Sequence, residues 1–309
     1  EGAFNDLVAR HESLRTAFPV AEGQAKQRIA QPQPQSLPVR DLSGLMAADR
    51  EPEAVRLIAE EVARPFDLAT GPLFRVGLLR VDVDDHVLWF VFHHIVADGW
   101  SVGILLREIG ALYRARLGSG ATLPALGIQY LDFTLWQRER LGEAGLEEQR
   151  AYWRKQLANP PVLEPSADHP RPPIITYRGS SVPVLIPAAL VEGLRVIGQR
   201  QQATLFMTLM AAFHVLLARH TGQEDIIVGF PIASRNHTEI EGLIGFFVNT
   251  LALRVDLSGN PPFEEVLRRV RQRAIEAYTH QDVPFEQLVE DLIPHRDLAR
   301  TPIFQAMLA

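Results

Sequence analysis

The stretch HVLWFVFHHIVADGWSVGILLREIGALYRARL, residues 86–117, decides how the rest of the chain is read. Its first eight residues, His86 to His93, are rich in β-branched and aromatic side chains and apolar on both alternating faces. That is the pattern of a strand buried on both sides. From Trp100 to Leu117 the period changes: Val102, Leu105, Leu106, Ile109, Leu112 and Tyr113 fall on one helical stripe, with basic residues late, where the macrodipole favours them. A doubly buried strand running into an amphipathic helix predicts a layered α/β (α+β) architecture in preference to an exposed antiparallel sheet.

The alternation continues on both sides. Leu7 to Phe18 has helical spacing, and Leu73 to Val81 reads as a strand. Downstream, Ala188–Gln202 and Thr204–Arg219 read as consecutive helices, the second stopped by Gly222. Asp225–Phe230 and Val248–Val255 read as strands, and Phe263–His280 and Pro284–Leu292 as helices. Between the two series, Ala158 to Ile174 (ANPPVLEPSADHPRPPI) carries six prolines, which remove amide donors and forbid continuous helix or central strand. The predicted organisation is an N-terminal lobe over 1–158, a proline-rich linker over 159–175 and a C-terminal lobe over 176–309. QPQPQSLP, Gln31 to Pro38, reads as a surface loop of the first lobe.

Composition narrows the function classes. A chain of 309 residues fits two domains of about 150 residues, and 47% hydrophobic content suffices for a core in each. Lys+Arg 31 against Asp+Glu 37 gives a net charge of −6 with no basic run, which argues against a nucleic-acid partner. With no cysteine, disulfides, thiolate metal sites and a cysteine nucleophile are excluded, and a reducing, cytoplasmic setting fits. The most apolar run, Leu205 to Ala218, is shorter than the ~18 to 20 residues a membrane span needs and contains His214, so a buried core helix is expected and no membrane partner. No signal peptide is visible at the N-terminus, and both ends read as cut from a longer polypeptide.

The chemistry-bearing residues lie between the strand and the helix, in His93-His94-Ile95-Val96-Ala97-Asp98-Gly99-Trp100-Ser101. In extended chain, adjacent side chains point to opposite faces, so His93 and His94 need different roles. An imidazole with an unperturbed pKa near ~6.5 suits proton transfer near neutral pH, and a strand end holds it rigidly. The bland alternatives are equally concrete: paired core histidines with satisfied hydrogen bonds, Asp98 as a helix N-cap, and Gly99 relieving the turn. A metal site has little support, since His94 and Asp98 have no obvious third ligand and HExxH is absent.

HHIVADGWS resembles the HHxxxDG signature of the condensation domains of nonribosomal peptide synthetases, members of the chloramphenicol acetyltransferase-like acyltransferases. Five further segments resemble that family's motifs in order: RHESLRTAF (Arg10–Phe18), YLDFTLWQ (Tyr130–Gln137), IGFFVNTLALR (Ile244–Arg254), HQDVPFE (His280–Glu286) and RDLARTPIF (Arg296–Phe304). The family's N-terminal SxAQxR motif is missing, and the family continues beyond the last match, so the resemblance implies a domain truncated at both ends. Tyr177-Arg178-Gly179 reads as a segment that helps place the second half.

What the resemblance implies is specific. The fold would be two chloramphenicol acetyltransferase-like lobes forming a V around a central channel. Carrier-protein-bound thioesters would enter, and the acceptor amine would attack the donor carbonyl to form an amide. The partners would be upstream and downstream peptidyl carrier domains and an adjacent adenylation domain, the domain acting as a monomeric unit of a longer chain. It would bind no cofactor or metal of its own; the phosphopantetheine arm comes with the carriers. His94 would act as general base or orient the amine, and His93 would hold the loop. Asp98 would pair with an arginine, Arg235 first and Arg15 second, and Gly99 would allow close backbone approach. Trp100, Ser101 and Asn249 are channel or substrate candidates, with a strand-edge amide bonding to backbone the other reading of Asn249. Trp100, Trp136, Phe246, Phe247 and Phe285 are otherwise expected in the core, and His280 is expected to cap a helix end. The rival readings are an epimerising relative, a free-standing coenzyme A-dependent acyltransferase and a non-catalytic module that docks partner proteins. A cyclising relative is disfavoured because its signature replaces the first histidine with aspartate.

Overall fold

The computed structural model describes residues 1–309 except 121, 141, 143, 177 and 294–296, and at Ala144 it describes the backbone alone. Tyr177 and Arg296, the latter opening the last motif, therefore lie outside the described residues. The chain resolves into two compact units, one of residues 1–138 with 235–247 and the other of residues 139–234 with 248–309. Both mix helices with a small sheet, the layered α/β class read from the sequence.

In the first unit, strand Phe74–Arg80 lies between Val39–Asp41, to which it is parallel, and His86–Phe92, to which it is antiparallel with Gly77 opposite Trp89. The His86–Phe92 strand is thus an edge, and Val87 and Leu88 are 36% and 42% exposed, so the expected burial on both faces is corrected. None of its seven residues is fully buried: His86 to Leu88 are exposed, and Trp89 to Phe92 are partly covered. Helix Gly2–Arg10 packs on helix Gly99–Arg116, and Phe4, Leu7, Val8, Leu14, Phe74, Val76, Ile104 and Leu105 form the core. Two local expectations shift. The helix expected over Leu7–Phe18 stops at Arg10, because His11 adopts an extended conformation and a 3-10 turn, Glu12–Arg15, follows. The buried face of Gly99–Arg116 consists of Ser101, Ile104, Leu105 and Glu108, while Val102, Leu106 and Tyr113 of the expected stripe are exposed. Two buried polar residues with internal partners have rotated the helix away from its purely apolar pattern.

In the second unit, strand Asp225–Ile232 is central, antiparallel to Asn249–Asp256 and parallel to Ala306–Met307. Ile226, Ile227, Val228 and Phe230 are all buried, so this strand is covered on both faces. Helix Leu205–Thr221 lies in the core, N-capped by Thr204, which accepts from the Met207 N–H, and closed by Gly222 at φ 71°, the left-handed conformation glycine adopts without strain. Helix Ala144–Gln156 belongs to this unit too: Trp153 and Leu157 are fully buried in its core, and Trp153 Nε1 donates to the His280 carbonyl at 2.7 Å. The second unit consequently begins ahead of the proline-rich segment 159–175. Among the described residues no single helix is long and apolar enough to cross a membrane.

His214 is fully buried in this core, its Nδ1 2.9 Å from the Met210 carbonyl oxygen. Burial pulls its pKa below the ordinary histidine value, with the backbone carbonyls only partly opposing. The unfolded chain then takes up a proton at higher pH than the folded one, so stability falls as the pH drops below about 6.5. Urea unfolding between pH 7.5 and 5 should show this loss, and His214→Leu should flatten the slope; an identical slope in the variant would remove His214 as its source.

Candidate active site

The loop after strand His86–Phe92 extends the sheet by one bond, the His93 N–H donating to the Leu73 carbonyl at 2.9 Å. The chain then turns back, with the Val96 N–H donating to the His93 carbonyl. His93 Nδ1 accepts the Ile95 N–H at 3.1 Å, and the ring meets Phe66 edge to face. His93 therefore belongs to the loop's own hydrogen bonding. His94 is exposed. Its imidazole makes no hydrogen bond with a described residue and rests edge to face on Phe246, ring centroids 5.1 Å apart.

Asp98 closes the loop as N-cap of helix Gly99–Arg116, its Oδ1 accepting the Ser101 N–H at 2.8 Å. The same carboxylate takes Arg235 Nη2 at 3.1 and 3.3 Å and the Phe247 N–H at 3.1 Å. Both charged side chains are out of solvent, at 1% exposure for Arg235 and 0% for Asp98. Arg235 Nη1 donates to the Ile240 and Leu243 carbonyls, and its guanidinium lies 4.0 Å over the Phe247 ring. Burial pulls the Arg235 pKa down, and Asp98 opposes this most strongly. The Ser101 hydroxyl sits 2.7 Å from Asp98 Oδ1 and 2.9 Å from the Gly245 carbonyl, its single proton serving one of the two, and accepts the Gly245 N–H. Tyr130 donates to the Phe246 carbonyl at 2.7 Å, and burial, helped by Asp98, pushes its pKa up to about 12. Gly245 has no space for a side chain: a Cβ there would lie 2.4 Å from the Tyr130 ring.

The geometry joins three sequence segments, HHIVADGWS, Arg235 and the start of IGFFVNTLALR, around one carboxylate, with Tyr130 bonded to the last of them. The condensation-domain family model matches residues 1–309. The chain belongs to the condensation-domain family. The resemblance carried by the six ordered motifs is thereby borne out. This condensation domain is 48% identical over 309 residues to a linear gramicidin synthase of Brevibacillus parabrevis, covering 99% of this chain and 6% of that protein. The match thus spans a small part of such relatives. Among solved structures it is similar to the X-domain from teicoplanin biosynthesis, at 30% identity and TM-score 0.89 over 99% of this chain and 68% of that one. That X-domain is also known in complex with OxyB, TM-score 0.88, 30% identity, 99% and 67% covered. The condensation domain from monacolin K polyketide synthase MokA matches at 25% identity and TM-score 0.84, over 99% and 71%.

The remaining candidates of the condensation domain separate clearly. Arg235 is the partner of Asp98, whereas Arg15 pairs with Glu12 at 3.3 Å and donates to the Ala30 carbonyl. Gly99 lies in open space, with no described atom within 4 Å of a built Cβ, so no contact within the chain requires glycine there. Ser101 is 1% exposed and belongs to the Asp98 network instead of a substrate-facing surface. Trp100 is 50% exposed, its Nε1 donating to the Glu241 carbonyl, and Trp136 is 39% exposed; neither is the core aromatic expected. Phe247 is buried, and Phe246 and Phe285 partly so. In the second unit, Asn249 Nδ2 donates to the Gln281 and Val283 carbonyls and Oδ1 accepts the Phe285 N–H, the strand-edge arrangement. His280 ends helix Phe263–Thr279, its Nδ1 2.7 Å from the Glu276 carbonyl and its ring stacked on Tyr152 at 3.8 Å. Among the described residues no three metal-ligating side chains cluster. The residues that spacing alone missed are Gly245, Tyr130 and Phe246, whose signal was membership of the same motif series.

Asp98→Ala strands a buried guanidinium and should cost ~3 to 5 kcal/mol of unfolding free energy. Gly245→Ala drives a Cβ into Tyr130 and should cost about 1 to 3 kcal/mol. Urea midpoints measured beside wild type check both; a loss below about 1 kcal/mol in Asp98→Ala would mean that the pair is not buried in solution.

Proposed function

We propose that this domain joins two carrier-bound thioesters in nonribosomal peptide synthesis. The α-amine of the acceptor aminoacyl thioester attacks the carbonyl of the donor aminoacyl or peptidyl thioester. A C–N bond forms, the C–S bond to the upstream phosphopantetheine arm breaks, and the proton lost by the amine ends on the released thiol. A thioester is already activated, so the domain needs no covalent intermediate of its own. Its main contribution is orientation, which can supply ~7 to 11 kcal/mol when reacting groups are held in line.

The single observation that carries the reading is the exposed His94 imidazole, free of hydrogen bonds to described residues, on a loop locked four residues later by a buried ion pair. Such a ring can accept the proton of an attacking amine, or hold that amine and then stabilise the tetrahedral intermediate. An α-amine with a pKa near ~7.7 to 8.0 is mostly protonated at neutral pH, so a proton acceptor beside it is chemically useful. His93 keeps the loop in shape through its bond to Ile95, and Asp98 acts on the reaction only through the fold. The partners on this reading are carrier domains on both sides and an adenylation domain, in one long cytoplasmic synthetase, with the two lobes of the family fold as the working unit.

A docking module is the second reading, favoured by the structural similarity to an X-domain known in complex with OxyB. The two are separable with carrier proteins loaded with aminoacyl thioesters. Amide product should form with wild type and fall by roughly 10²- to 10⁴-fold in His94→Ala. Product formation unchanged in His94→Ala removes this residue from the chemistry, and absence of product with wild type alongside retained carrier binding favours docking.

A further inference from the structure

A second buried polar array lies in the first unit, apart from the Asp98–Arg235 pair. His11 leaves the end of helix Gly2–Arg10 in extended geometry, and its ring is 1% exposed. The Ile244 N–H donates to His11 Nδ1 at 3.3 Å, so that nitrogen carries no proton, and Nε2–H is left to donate to Glu108 Oε2 at 2.7 Å. Glu108 sits on the buried face of helix Gly99–Arg116 and also receives Arg10 Nε at 3.0 Å. Burial pushes the Glu108 pKa up, but the bond from His11 and the neighbouring Arg10 outweigh it, and the net shift is downward. The carboxylate is therefore ionised and acts as an acceptor, which keeps the proton of His11 on Nε2.

The effect of that tautomer reaches Ile244. Its N–H is held by His11 and its carbonyl by the Ser13 hydroxyl at 2.7 Å. The next residues are held from other directions: Gly245 by Ser101 and the Asp98 N–H, the Phe246 carbonyl by Tyr130, and the Phe247 N–H by Asp98. Four successive residues are thus pinned through their backbones. Within this run, Phe246 is the ring against which His94 lies. Since His94 forms no hydrogen bond with a described residue, the aromatic contact and its own backbone set its orientation.

We propose that His11, held in a single tautomer by Glu108, is a positioning residue for His94: by gripping the Ile244 amide it fixes the Phe246 ring and so the direction of the imidazole. This deepens the condensation reading and rests on it for its kinetic consequence, though the orientation itself can be read without turnover.

Two substitutions dissect the ring. His11→Gln retains a donor for Glu108 but loses the acceptor for Ile244, whereas His11→Asn retains the acceptor, Oδ1 replacing Nδ1, and loses the donor. In the whole chain labelled with ring-¹³C histidine, His94 resonances should shift in His11→Gln and in a Phe246→Leu control, and lie close to wild type in His11→Asn. With loaded carrier proteins, His11→Gln should lower kcat roughly 10- to 100-fold with KM little changed, and His11→Asn should recover most of the loss. If His11→Gln fails to fold, Ser13→Ala, which removes the other grip on Ile244, must give the same His94 shift. Unmoved His94 resonances in His11→Gln or in Phe246→Leu overturn the proposal, as do equal effects of the Gln and Asn variants. Absence of product with wild type while the resonances shift as expected counts against the condensation reading and leaves the positioning inference standing.

Discussion

The buried ion pair between Asp98 and Arg235 is the interaction on which the first unit depends. Removing two charges from water costs several kcal/mol per ion, and mutual attraction offsets this only when the remaining hydrogen-bonding positions are filled. Here they nearly all are. The carboxylate is met by a helix N–H, a hydroxyl, a guanidinium and a distant backbone N–H, and the guanidinium spends its other nitrogen on two carbonyls. Arg235 Nε alone among the guanidinium nitrogens finds no partner among the described residues. The pair thus acts as a bolt through three chain segments, and its strength depends on all of them being present together.

A reaction whose substrate is already activated asks for geometry more than for strong acids or bases. On the proposed reading, the polar groups in the first unit match that demand. Ser101, Tyr130, Ser13 and His11 each make a hydrogen bond with a backbone group of residues 244–246, holding in place the segment on which the His94 ring rests.

Much of this was legible in the sequence, and the failures are physical. Strands Phe74–Arg80 and Asp225–Ile232 and helices Leu205–Thr221 and Phe263–Thr279 lie where β-branched runs, helical spacing and a stop glycine placed them. The pairing of Asp98 with Arg235 followed from the family resemblance and not from spacing, since the partners are 137 residues apart. Pattern failed where polar residues go inside. Ser101 and Glu108 turn helix Gly99–Arg116 so that Leu106 and Tyr113 face out, and His11 breaks a helix whose apolar spacing continued past it. A hydrophobic code cannot read a buried carboxylate, because its partner lies elsewhere in the chain. Trp100, expected among the core aromatics, is tied by its indole N–H and remains half in solvent.

The first unit owns residues 235–247 although the chain has by then spent nearly a hundred residues in the second. Ownership of that short return segment has an engineering consequence. A chimera spliced once, anywhere between the two stretches, would bring Asp98 from one parent and its arginine from the other, along with two different sets of carbonyls around them. Exchanging this unit between relatives therefore calls for two grafts moved as one piece, and the thirteen-residue graft matters as much as the long one.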